Sequence, residues 1–124
     1  MRFSGYSRVF STRNEAQYET IGAFWDALTA RYGLETLRGL GYNWREDSIE
    51  YVIGFREGAI DPADCPPGAV FKEVELPDTG WQTWRGRTDD LAAIYEEIYR
   101  DGPLRYEIET FADDGSCEIQ IYRV

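Results

Sequence analysis

The chain contains no histidine. That single absence removes Ser-His and Cys-His nucleophile pairs, the imidazole general base and the histidine-ligated metal site together. Lysine is almost as scarce. Lys72 is the only one, and it sits in the charged, strand-like run 69–76 (AVFKEVEL), which argues against Schiff-base chemistry. Two cysteines, Cys65 and Cys117, lie far apart and outside any CxxC arrangement, so neither a disulfide framework nor a zinc motif is present. Glycine-rich phosphate loops are missing too: Gly39-Leu40-Gly41 lacks the third glycine and the helix that a dinucleotide fingerprint requires. No window approaches the 18 apolar residues of a membrane span. The first eight residues (MRFSGYSR) hold no apolar core of a secretory signal. The expectation is a cytoplasmic protein with free thiols, no metal, no cofactor and no membrane partner. Any acid–base chemistry falls to carboxylates or tyrosines.

Basic charge is also in deficit. Against 13 Lys and Arg stand 23 Asp and Glu, a net charge of −10 and a pI near 4.4. Phosphate contacts supply most of the affinity of nucleic-acid binders, and the arginines here are spread along the chain rather than gathered in a stripe. Direct nucleic-acid binding is therefore not expected. The field favours cationic ligands or basic protein surfaces, or serves only solubility. What the chain has in plenty is aromatic surface: 15% of 124 residues, with four Trp and nine Tyr. That is more than a core of this size requires. The excess reads equally as a ring-rich core or as the wall of a binding site.

Periodicity divides the chain into nine elements. Residues 2–12 alternate as a strand, and Thr12 or Asn14 stands where a helix cap belongs. Ile21, Phe24, Trp25, Leu28 and Tyr32 then recur at helical spacing, predicting a helix over 15–32 that stops at Gly33. Strands follow over 36–44, weakened by two glycines, and over 49–55. A loop with Pro62, Pro66, Pro67 and Gly68 leads to strands at 69–76 and 81–86. Thr88 is placed to cap a second helix over 88–100, with Leu91, Ile94, Tyr95, Ile98 and Tyr99 on its inner face and Gly102-Pro103 as its stop. Two strands, 104–111 and 117–124, close the chain as a hairpin around Asp113-Asp114-Gly115. The order is strand, helix, strand, strand, then a connecting stretch that includes the strand at 69–76, then strand, helix, strand, strand again. It predicts a single α+β domain over 1–124 with antiparallel sheet and two helices.

Several segments, in order, resemble the GyrI-like small-molecule-binding domain, the effector-binding module of some AraC-type and MerR-type bacterial regulators. They are Ile21-Gly22-Ala23-Phe24-Trp25, Ile49-Glu50-Tyr51-Val52-Ile53-Gly54, Pro67-Gly68, Leu76-Pro77 with Gly80-Trp81-Gln82-Thr83-Trp84, Ile108-Glu109-Thr110-Phe111, and Glu118-Ile119-Gln120-Ile121. The resemblance spans nearly the whole chain. The chain departs from it at Ile121-Tyr122-Arg123-Val124, where a proline is usual, and at the short Asp101-Gly102-Pro103 loop. The resemblance implies two repeats related by a pseudo-twofold axis, with a ligand cleft between them. It implies binding of lipophilic, often cationic compounds rather than catalysis. Some relatives inhibit DNA gyrase, and a subset resembles hydrolases that open cyclopropyl rings with a glutamate. It also places Glu109 in the cleft.

Strand alternation puts Arg105, Glu107, Glu109 and Phe111 on one face of 104–111, and Tyr106, Ile108 and Thr110 on the other. The first face is either a solvated surface, with Arg105 neutralising a carboxylate, or the wall of a site. The candidate ligand-binding residues are Glu109, Phe111, Trp25, Tyr51 and Trp84, with Trp44 and Trp81 behind them. Trp25 reads more readily as core. Tyr95 and Tyr99 read as core with hydroxyls at the rim, and Cys117 as a small buried residue. Three functions remain in view. The first is a binding module for a lipophilic, cationic molecule. The second is a hydrolase in which Glu109 activates water. The third is an acidic protein that contacts a basic partner such as gyrase, or a second copy of itself.

Overall fold

The computed structural model describes residues 1–124. Its seven strands form one antiparallel sheet: β1 (Arg2–Ser11), β2 (Leu37–Tyr42), β3 (Ser48–Phe55), β4 (Val70–Glu75), β5 (Gln82–Arg87), β6 (Leu104–Phe111) and β7 (Ser116–Arg123). Across the sheet they run β4-β1-β3-β2-β6-β7-β5. Two helices, α1 (Gln17–Tyr32) and α2 (Leu91–Arg100), connect β1 to β2 and β5 to β6. No helix is long and apolar enough to cross a membrane.

Both helices lie on one face of the sheet. Beneath α1, Phe24, Trp25 and Leu28 pack on Tyr6, Phe10, Tyr51 and Ile53. Beneath α2, Tyr95 and Ile98 pack on Leu104, Ile119 and Ile121. Trp44, in the β2–β3 turn, touches both clusters. The opposite face carries a third cluster of Phe3, Leu40, Tyr42, Val52, Leu76 and Ile108, closed by Trp81. Its cover is the β4–β5 connection, residues 76–81. That connection joins the two edge strands. Six strand intervals would set the edges of a flat sheet about 29 Å apart. Seven residue steps reach about 25 Å at most. The sheet must therefore curl around the third cluster, which carries its helix-bearing face outward.

Local chemistry explains most boundaries, with two differences from expectation. The first helix begins at Gln17, two residues later than its pattern suggests, because Asn14 and Glu15 take positive φ angles of 54° and 58° and cannot join it. Neither Thr12 nor Asn14 caps it; Ala16 occupies that position without a side-chain bond. Gly33 does end α1, at φ 89°. Thr88 opens a single 3-10 turn (Thr88–Asp90) rather than capping α2 directly.

Candidate functional site

A cavity of about 630 Å³ opens between α1, α2 and the sheet. From α1 come Tyr18, Ile21, Gly22 and Trp25, which share one face of the helix. From α2 come Leu91, Tyr95 and Tyr99, each four residues from the next. Trp44 and Arg45 reach in from the β2–β3 turn. The floor is sheet: Ile49 and Tyr51 from β3, and Glu107, Glu109 and Phe111 from β6.

Between β3 and β6 runs β2, and at floor level it has no side chains. Gly39 pairs with Glu109 and Gly41 with Glu107 on one side; on the other they pair with Ile53 and Tyr51. The side chains of β3 and β6 lean over this bare strand and meet. Tyr51 and Glu109 sit two strand intervals apart, about 9.6 Å between strand axes, and the Tyr51 hydroxyl donates to Glu109 Oε1 above Gly39. A Cβ on Gly39 would stand 2.1 Å from that hydroxyl and 2.8 Å from the Trp25 ring. A Cβ on Gly41 would stand 2.6 Å from Glu107 Oε1. The two glycines that weaken the strand on paper are the space in which the polar floor is assembled.

That floor is a hydrogen-bonded chain. Trp25 Nε1 donates to Tyr51 Oη at 2.8 Å, Tyr51 donates to Glu109 Oε1, and Tyr95 donates to Glu109 Oε2 at 2.8 Å. Glu107 accepts one long bond, from Tyr99 at 3.3 Å. Tyr95 stacks on Tyr99 with centroids 5.6 Å apart, and Phe111 meets the Trp25 ring edge-on at 5.0 Å. Both glutamates are 6% exposed.

No cation compensates them. None of the ion pairs in the protein involves Glu107 or Glu109. Arg45 shares the cavity wall but is exposed. Burial, and then repulsion from Glu109, hold the Glu107 carboxyl well above the usual range, against a smaller opposing effect of the Tyr99 hydroxyl. Burial also raises Glu109, but its two tyrosine donors favour the ionised form and offset part of the rise. The two carboxyls are therefore inequivalent. Two hydroxyl donors favour the charged form at Glu109, and one long bond does so only weakly at Glu107.

Of the expected residues, Glu109, Phe111, Trp25 and Tyr51 converge on this cavity, and Trp44 joins them. Trp84 does not line it. It lies in the same cross-sheet row as Glu109 but beyond Ile119, where it packs against the cluster beneath α2. Trp81 is on the far face. Glu107 is neither solvated nor paired with Arg105. An irregularity between Leu104 and Tyr106 interrupts the strand's alternation, and Arg105 is exposed beside the Tyr106 ring. Tyr95 and Tyr99, expected in the core with hydroxyls at the rim, turn those hydroxyls onto the carboxylates. The available signal was the pairing of two alternations, Gly-x-Gly in β2 and Glu-x-Glu in β6, which only the register brings together.

No family model, no curated protein and no solved structure matches the chain.

Proposed function

We propose that this protein is a GyrI-like binding module that captures a lipophilic, cationic organic molecule between its helices, with Glu109 as the charge partner. The carrying observation is a buried carboxylate, held ready by two tyrosine hydroxyls in an aromatic-walled cavity, with no cation of its own. A cation would recover the electrostatic cost of that carboxylate, and ring faces would add about 0.5–2 kcal/mol per contact. The sheet order supports the family resemblance. Read inward from either side, the halves run β1-β3-β2 and β5-β7-β6, each with one helix joining its outer strand to its innermost strand. The two innermost strands meet antiparallel, as a pseudo-twofold axis between repeats requires. β4 is an addition outside that symmetry.

The test uses benzyltrimethylammonium and neopentylbenzene, which share a shape and differ in charge. Tryptophan fluorescence should report saturable binding of the cation, since Trp25 and Trp44 line the cavity. Glu109→Gln should cost the cation roughly 2–5 kcal/mol, as expected when one partner of a buried charge pair is truncated. Neopentylbenzene should be unaffected. Equal losses for both would make Glu109 structural and end the proposal.

One observation favours a second reading, hydrolysis. Glu107 faces the same cavity in a form that keeps its proton, so an acid accompanies the base. Glu109 would take a proton from water, the hydroxide would attack a strained carbon, and Glu107 would protonate the carbon released. Turnover of an activated cyclopropane, lost in both Glu109→Gln and Glu107→Gln, would establish it.

A further inference from the structure

We propose that the preferred ligand is a dication: two ammonium groups about 7 Å apart on a rigid, flat, apolar spacer, one for each of Glu107 and Glu109. The inference rests on the cation-binding reading above and narrows it.

Glu107 and Glu109 are alternate residues on one face of one strand, so their Cα atoms stand about 6.6 Å apart. Both line the same cavity and both are more than nine-tenths buried. Neither is used up by the protein. Glu109 takes one hydroxyl on each oxygen, and a carboxylate has about four acceptor sites. Glu107 takes a single long bond through Oε2, and its Oε1 has no hydrogen-bond partner in the chain. A monocation satisfies one of these carboxyls and leaves the other to hold its proton or stand unpaired. A dication meets both.

The rest of the cavity suits the spacer. Trp25, Phe111, Tyr95 and Tyr99 present rings around the two carboxylates, and the stacked Tyr95–Tyr99 pair, its planes 23° apart, offers a broad aromatic wall. A divalent metal ion is a poor alternative on geometry: no three acidic or thiol side chains converge as a metal site would require. Six to eight oxygens at short range is the demand of a calcium-like ion, whereas more than half of the residues lining this cavity are hydrophobic.

The probes are p-xylylenediamine, its single-charge match 4-methylbenzylamine and the neutral 1,4-benzenedimethanol, titrated calorimetrically into the full chain at pH 7.5. The expected order is diamine over monoamine over diol, with the diamine at least about tenfold tighter than the monoamine beyond the statistical factor of about two. The diamine should also release more protons than the monoamine, compared in buffers of different ionisation enthalpy, because it draws the proton from Glu107 as well. Glu107→Gln should bring the diamine-to-monoamine ratio down to the statistical factor and abolish the extra proton release. A monoamine that binds as tightly as the diamine, with equal proton release, overturns the dication while leaving the monocation reading intact. Amines that bind no better than the diol, or none of the three binding, overturn both. Should Glu107→Gln fail to fold, the affinity ratio and proton release of the unaltered protein still decide.

Discussion

Glu107→Gln should stabilise the protein at neutral pH and leave it nearly unchanged in acid. The side chain is buried without a cation and carries one long hydrogen bond, so the folded state favours its protonated form. In the unfolded chain it titrates near the ordinary glutamate value, about 4.3. Above that pH the folded state holds a proton that the unfolded state has released. Stability then falls as pH rises, by about 1.4 kcal/mol per pH unit for one such proton, until the folded carboxyl itself ionises. The contribution is fully present below the unfolded pKa and lost on the alkaline side. Glutamine keeps the shape, never ionises and has no such slope. The difference between variant and parent should be small near pH 4 and grow with pH through the window between the two pKa values.

Other groups slope the opposite way. Asp78, bonded to the N-terminal ammonium, Asp114, bonded to Ser116, and Glu50, bonded to Lys72 and Tyr42, are all held below their usual range and favour the fold above it. The raw pH profile of the parent mixes these signs. The variant-minus-parent difference cancels these and reports Glu107 together with its repulsion of Glu109. Urea unfolding from pH 4 to pH 8, with m-values compared to confirm a common unfolded state, measures it. A difference that stays flat with pH, or a variant less stable at pH 7 than at pH 4 relative to the parent, would refute the reasoning.

Gly41→Ala should destabilise by about 1–3 kcal/mol through overpacking against Glu107, and combining it with Glu107→Ala should recover much of the loss in a double-mutant cycle. Gly22→Ala should instead stabilise by about 0.5–1 kcal/mol in thermal unfolding, since it sits in α1 with nothing within 4 Å of the new methyl; Gly22→Trp at the same open position should occlude the cavity and abolish ligand fluorescence changes. Tyr51→Phe should cost roughly 1.5–3 kcal/mol in urea unfolding, because it takes a donor from Glu109 and an acceptor from Trp25 Nε1 together. Lys72→Met should cost between the ~1 kcal/mol of a surface pair and the ~3 kcal/mol of a buried one, as Glu50 is buried but Lys72 is not, and should leave probe binding unchanged.

Most elements could be read from the chain because local signals agreed. The hairpin of β6 and β7 turns at Asp113-Asp114-Gly115, β7 alternates cleanly, and both strands fall within a residue of expectation. The start of α1 departs from its spacing because Asn14 and Glu15 adopt backbone angles that no spacing rule anticipates. The site was only half legible. Glu109 and its neighbouring rings could be picked out, but Glu107 was indistinguishable from a solvated carboxylate beside Arg105. Its burial depends on α2 lying over that strand and on the irregularity that turns Arg105 away. Gly39 and Gly41 looked like defects because the cost of glycine is local, whereas their benefit is paid out across β3 and β6. Nothing short of the pairing register reveals that.

The position of the two carboxylates bears on why such a floor exists at all. They occupy the innermost strand of one half, where apolar residues would pack best, as Ile119 and Ile121 do in the next strand over. A buried carboxyl is unfavourable unless bonded, and the protein commits three tyrosines, one tryptophan and two bare strand positions to bonding and housing this pair. A fold under selection for stability alone would replace both with leucine or valine and close the strand with a β-branched residue at position 39 or 41. Local consistency is otherwise high along this chain, so the one place where several rules are broken together is where function is expected. The breaks also point the same way: each opens space, removes a competing cation or adds a hydroxyl aimed at a carboxylate. A purely structural network would end in a charge partner, as Glu50 does in Lys72 on the opposite face. This one ends in an open cavity, and the partner it lacks is the one a ligand would bring.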